Sequence, residues 1–87
     1  MFYVYVLYSW KDGGMYIGQT EHLIERVRQH QLGKVTSTRR RGPFSLVYLE
    51  TVLTREEALG RELEWKTNTG RRYLRKRIKC RVLSGGH

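Results

Sequence analysis

This sequence is short of cysteine, and of acid relative to base. Cys80 is the only cysteine among 87 residues, so no disulfide can close within the chain and no multi-cysteine zinc site can be assembled from it. A reducing, cytoplasmic setting is the expectation. Eight Asp and Glu stand against seventeen Lys and Arg, and the resulting formal charge of +9 points to a polyanionic partner, with nucleic acid first. Charge of this kind demands binding and not turnover, so by itself it fits a structural RNA-binding protein equally well. Long apolar runs are missing too. Residues 1–7, Met-Phe-Tyr-Val-Tyr-Val-Leu, lack a basic leader and are too short to span a bilayer, so they read as a strand and not as a signal peptide. No repeat and no linker interrupts the chain. Its length supports one thin-cored domain, expected over residues 1–83, with a loose tail at 84–87.

What is present has a readable order. Residues 2–8 are almost all aromatic or β-branched, Asp12-Gly13-Gly14 supplies turn chemistry, and Met15-Tyr16-Ile17-Gly18 resumes the strand pattern, which predicts a hairpin. Alternation places Phe2, Val4, Val6 and Tyr8 on one face and Tyr3, Tyr5 and Leu7 on the other, with Tyr16 near Tyr5. Thr20 is the expected cap of a helix running to about Gln31 and closed by Gly33. Residues 33–43 read as a basic loop, and Phe44 to Thr51 as a third strand. Thr54-Arg55-Glu56-Glu57 matches a capping box, so a second helix is predicted to about Lys66, and a basic helical segment follows over 71–79. The expected class is α+β: a three-stranded antiparallel sheet flanked by helices, in the order β-β-α-β-α-α.

Several residues within this frame invite chemistry. On a helical wheel Ala58, Leu59 and Trp65 define an apolar arc with Glu62 near its middle, where an unpaired carboxylate would be costly. Its partner is either an arginine, the commoner case, or a metal ion. Arg26 and His30 lie four apart, on one side of the first helix at the rim of its Leu23/Val27 stripe. An arginine fork suits paired phosphate oxygens and an imidazole suits proton transfer near neutrality, although singly each is usually a solvated surface residue. Tyrosine pairs also commonly do no more than stabilise a small sheet.

Taken together, Tyr5, Tyr16-Ile17-Gly18, Arg26, His30 and Glu62 make the chain resemble the GIY-YIG nuclease superfamily over about residues 2–79. The second motif is complete. The first stands as Tyr3-Val4-Tyr5, keeping its functional tyrosine and replacing its glycine, a variant often seen in small standalone members. Arg26 sits at the spacing of the family's helix arginine, His30 one turn later as in a subset of members, and Glu62 aligns with the metal-binding glutamate. The resemblance implies an endonuclease that hydrolyses DNA phosphodiester bonds, with low sequence specificity or a preference for strand structure, in DNA repair or processing. It also implies one Mg2+ or Mn2+ ion on Glu62, Arg26 bearing on transition-state charge, Tyr16 positioning water or phosphate, and Tyr5 as general base with His30 behind it. A free tyrosine with a pKa of ~10 is only about a thousandth ionised at pH 7, so the site is expected to lower that value.

The loop residues Lys34, Thr38, Arg39, Arg40 and Arg41, with Arg71, Arg72 and Arg75 of the last helix, are the expected nucleic-acid contacts, holding the phosphate backbone without reading sequence. The competing reading is a non-catalytic nucleic-acid-binding module of the same fold. A ribosome-associated structural protein ranks behind it.

Overall fold

The computed structural model describes residues 1–85, with side chains placed through Lys79. The aromatic and β-branched run forms β1, Phe2–Ser9, which turns back into β2, Met15–Thr20. Then follow α1 (Leu23–Gln31), a single 3-10 turn (Thr36–Thr38), β3 (Phe44–Val52), α2 (Arg55–Trp65) and α3 (Asn68–Gly85). The α+β class and the order β-β-α-β-α-α are as expected. Of the loose tail expected at 84–87, Ser84 and Gly85 fall in α3, and residues 86 and 87 lie outside the described residues.

The sheet order is β2-β1-β3, fully antiparallel, with β1 in the centre. Leu7 faces Tyr16 and Tyr5 faces Gly18, so both tyrosines share one side of the sheet. That side buries Tyr5, Leu7 and Phe44 beneath Leu23 and Val27 of α1. The other side buries Val6, Met15 and Ile17 against Leu74 and Ile78 of α3, with Trp65 of α2 packed beside them. Two thin cores, one on each face, take the place of one thick core, as 87 residues dictate.

Three local expectations are corrected. Thr20 does not cap α1; it stays paired with Tyr3 at the end of β2, where its hydroxyl accepts the His22 N–H at 3.0 Å, and the helix begins at Leu23 without a side-chain cap. The segment 33–43 is not wholly loop, because Thr38 N–H to Val35 and Arg41 N–H to Thr38 carbonyl bonds close successive tight turns. On α2 the apolar arc is shorter than the wheel suggests: Ala58 is buried, whereas Leu59 is 48% exposed. Other signals hold. Gly33, at φ +74°, ends α1 while its N–H and that of Lys34 return to the His30 and Gln29 carbonyls, the Schellman pattern. Thr54 caps α2 by accepting the Glu57 N–H at 3.1 Å, but the Glu57 carboxylate accepts from the Thr54 hydroxyl in place of the backbone. Gly70 lets α3 start directly against the end of α2, since a β-carbon there would collide with the Glu64 carbonyl and Trp65 Cα.

A candidate catalytic cluster at the edge of the sheet

Tyr5 stands on the central strand, and its ring reaches outward across Gly18 of the edge strand. A β-carbon on Gly18 would lie 2.7 Å from the Tyr5 hydroxyl and 3.0 Å from Tyr16 Cε1. Only a glycine permits this crossing. The two tyrosine rings are 6.2 Å apart, and the His30 imidazole lies 5.8 Å from Tyr5 and 4.6 Å from Tyr16. Helical spacing carries His30 and Arg26 onto the same side of α1, above these rings.

His30 does not line the rim as expected; it is 1% exposed and both ring nitrogens are engaged. Nδ1 lies 2.7 Å from the Thr38 hydroxyl and Nε2 lies 3.0 Å from the Tyr5 hydroxyl. Thr38 Oγ1 also lies 3.4 Å from the Val35 carbonyl; with its proton placed there, its oxygen accepts from His30 Nδ1–H and Nε2 is the acceptor for the Tyr5 proton. Thr38 is therefore corrected from a nucleic-acid contact to the residue that holds the imidazole. It is fully buried and beyond the reach of any strand.

The electrostatics run against the expected tyrosinate. Burial pushes the Tyr5 hydroxyl up to about 12, with Tyr16 and Glu62 adding to the rise; the charge of Arg26 opposes it and loses. Burial, helped by Arg26, holds His30 down at about 4. The expectation that the site lowers Tyr5 is thus overturned for the free protein, where both partners of the hydrogen bond are neutral. A consequence for stability follows. Between its ordinary value of 6.5 and about 4, His30 takes up a proton in the unfolded chain and refuses it in the folded one. Stability therefore falls as pH drops through this window, by up to about 1.4 kcal/mol per pH unit. Urea midpoints measured across it should show a slope that His30→Gln removes; an equal slope in both proteins contradicts the buried neutral imidazole.

Glu62 comes from α2 on the opposite layer, yet its charge reaches Tyr5. Its side chain is 16% exposed, and Oε2 accepts from Lys66 Nζ at 2.7 Å. The ion-pair reading is thus half right, with a lysine one turn along in place of an arginine. Beside the cluster lies a cavity of about 390 Å3 lined by Gln19, Thr20, Arg26, Gln29 and Arg55, among others. Gln19 Oε1 is buried without a hydrogen-bond partner, and Arg26 Nη1 donates to Gln29 Oε1 at 3.2 Å. The sequence reading missed Arg55 and Gln19 here, although Arg55 follows the cap threonine and so had to sit at the start of α2.

The expected nucleic-acid contacts separate into groups. Lys34, Arg39 and Arg40 are exposed, as are Arg72 and Arg75, while Arg71 is half-buried with its Nε donating to the Lys66 carbonyl. Arg41 is committed to Asp12 at 3.1 Å. That pair, with Lys11 donating to the Arg40 carbonyl and Ser9 to that of Arg41, fastens the basic loop to the hairpin turn. Because the same loop carries Thr38, the clamp also bears on His30. Residues 71, 72 and 75 belong to the helix layer beneath the other sheet face, away from the tyrosine rings. No described helix is long and apolar enough to cross a membrane.

Comparison with known proteins identifies the family. The GIY-YIG catalytic domain matches residues 1–77. A UPF0213 protein of Staphylococcus epidermidis is 40% identical over 74 residues, covering 84% of this chain and 89% of the relative. One from Staphylococcus aureus is 41% identical over 76 residues, with the same coverage of 84% and 89%. The solution NMR structure of a UPF0213 protein from Bacillus halodurans superposes with a TM-score of 0.53 at 38% identity, covering 85% of this chain and 82% of that one. The chain therefore belongs to the GIY-YIG catalytic-domain family, whose members are in general nucleases acting on DNA.

Proposed function

We propose that the chain is a divalent-metal-dependent endonuclease that hydrolyses DNA phosphodiester bonds with low sequence specificity or selectivity for strand structure. The observation that carries this reading is the Tyr5 hydroxyl hydrogen-bonded to His30 Nε2, with Tyr16 and Arg26 gathered around it and the Glu62 carboxylate within electrostatic reach.

The residues also fit a metal. Glu62 is a hard oxygen donor, and a metal ion there would have to displace Lys66 Nζ from its Oε2. One carboxylate completed by water and phosphate oxygens suits magnesium or manganese. Bound there, the cation would neutralise the scissile phosphate and stabilise the leaving oxygen. Arg26 would grip a non-bridging phosphate oxygen, and Tyr16, half-buried and partly open to solvent, would orient the attacking water. As water attacks phosphorus, its proton passes to the Tyr5 oxygen while the Tyr5 proton moves to His30 Nε2. In the free protein the gap between about 12 and about 4 opposes that transfer; cations at the phosphate would favour loss of a proton from the attacking water and from Tyr5 while opposing charge on His30, as Arg26 already does.

The ion pair with Lys66 favours the second reading, a non-catalytic DNA-binding module, because it leaves the carboxylate already neutralised. One assay separates the two. Purified chain incubated with single-stranded, duplex, nicked and branched DNA should cut at least one substrate with Mg2+ or Mn2+ and none with a chelator. Binding without cleavage under every metal condition would establish the module.

A further inference from the structure

The tyrosine cluster leaves unused a second feature on the other side of the molecule. A groove of about 380 Å3 runs between α2 and α3, lined by Arg61, Glu64, Trp65, Thr67, Gly70 and Tyr73 among others. Its volume falls in the range of small-ligand sites, about 300–1,000 Å3. Trp65 and Tyr73 stack within it, 5.6 Å apart at 29°. Trp65 also packs into the core, against Tyr48, but Tyr73 is not among the residues packed there and stays 48% exposed.

The surroundings select the occupant by charge. Arg61 sits 5.2 Å from the Trp65 ring and is shared by two carboxylates, Glu50 at 3.1 Å and Glu64 at 2.6 Å, so this wall keeps a negative balance and the cations that would meet an anion come from α3. Arg77 donates to the Tyr73 hydroxyl at 3.1 Å. From Asn68 to Lys79, α3 carries Arg71, Arg72, Arg75, Lys76, Arg77 and Lys79 and no acidic residue. Aromatic faces flanked by cations of one sign suit bases and phosphates together. A duplex hides its base faces in the stack, so only an unpaired base can use the rings.

We propose that the α2–α3 groove is a second nucleic-acid contact, which stacks an unpaired base of a single-stranded segment on Tyr73, the exposed member of the Tyr73–Trp65 pair, while the α3 cations hold its phosphates. It lies beneath the sheet face opposite the tyrosine cluster, so it anchors the strand at a distance from the site of cutting. DNA as partner follows from family membership, and the proposal does not depend on cleavage.

The test is a binding measurement in chelator, where no cleavage can intrude. Trp10→Phe leaves Trp65 as the sole tryptophan of the two in the chain. Titrated at low salt with oligothymidylate of about 12 nucleotides, within the usual range of single-strand sites, Trp65 fluorescence should be quenched. In that background Tyr73→Ala should weaken binding about 5- to 150-fold, the span expected for one stacked base, and Tyr73→Phe should retain it. A duplex of equal length should bind wild type and Tyr73→Ala alike, without quenching. Unquenched binding, unchanged affinity in Tyr73→Ala, or equal losses for single strand and duplex would each overturn the proposal.

Discussion

Glu62→Gln and Arg26→Ala are each expected to lower the rate of DNA cleavage by at least about 100- to 1,000-fold, the usual cost of removing one preorganised electrostatic group from a transition state. Glutamine keeps the shape of Glu62 and removes its charge, so the loss would report the charge. The fold should survive, because the Glu62–Lys66 pair is an i,i+4 contact on a helix and Lys66 is 42% exposed; pairs of this kind contribute only about 0.3–0.5 kcal/mol. Lys66→Ala separates the two jobs of the carboxylate. If Glu62 serves only as the partner of Lys66, both substitutions should affect cleavage alike. If Glu62 holds the catalytic cation, removing Lys66 should leave the rate unchanged or raise it, and should tighten the dependence on magnesium. Steady-state rates across a magnesium titration decide this, and a Glu62→Gln protein cutting at the wild-type rate would remove the metal assignment.

Gly18→Ala carries the second large effect. One added methyl would stand 2.7 Å from the Tyr5 hydroxyl and 2.8 Å from Tyr5 Cζ. Neither ring can step aside cheaply, since Tyr5 is 1% exposed and Tyr16 presses from the other side at 3.0 Å. Overpacking of this kind costs about 1–3 kcal/mol of stability. Relief requires Tyr5 to leave His30 Nε2, and a displacement near 1 Å in a catalytic pair can cost about 100-fold in rate. Gly60→Ala is the matched control. Among the described residues no atom lies within 4 Å of its added methyl, and α2 should gain about 0.5–1 kcal/mol with cleavage intact. Denaturant midpoints and cleavage rates for the pair test the assignment; a Gly18→Ala protein with wild-type activity would show that the ring does not need its place.

The hairpin and the two helix-ending signals were legible because each rests on local chemistry. Turn residues at 12–14, the left-handed Gly33 and the Thr54 cap act over a few residues, within reach of a pattern. Thr20 misled for the opposite reason. A threonine before an apolar helical stripe is a good cap, but here its backbone is held in the sheet by Tyr3, a partner seventeen residues away in sequence. The wheel located Glu62 and mistook its neighbours, since Leu59 faces water. Thr38 was read from its basic company as a strand contact, and nothing in its flanking residues reveals that His30 lies against it.

By itself the sequence determined the element order and the strand pairing of the hairpin, because periodicity and turn chemistry are properties of the chain, while the set Tyr5, Tyr16, Arg26, His30 and Glu62 came from its resemblance to the GIY-YIG family. Tertiary structure alone decided the state of that set. Burial, which no local pattern encodes, keeps Tyr5 protonated near 12 and His30 neutral near 4, reversing the expected tyrosinate. Packing of the helices on opposite sheet faces likewise moved the α3 cations away from the tyrosines, because which face a helix covers is fixed only when the sheet closes.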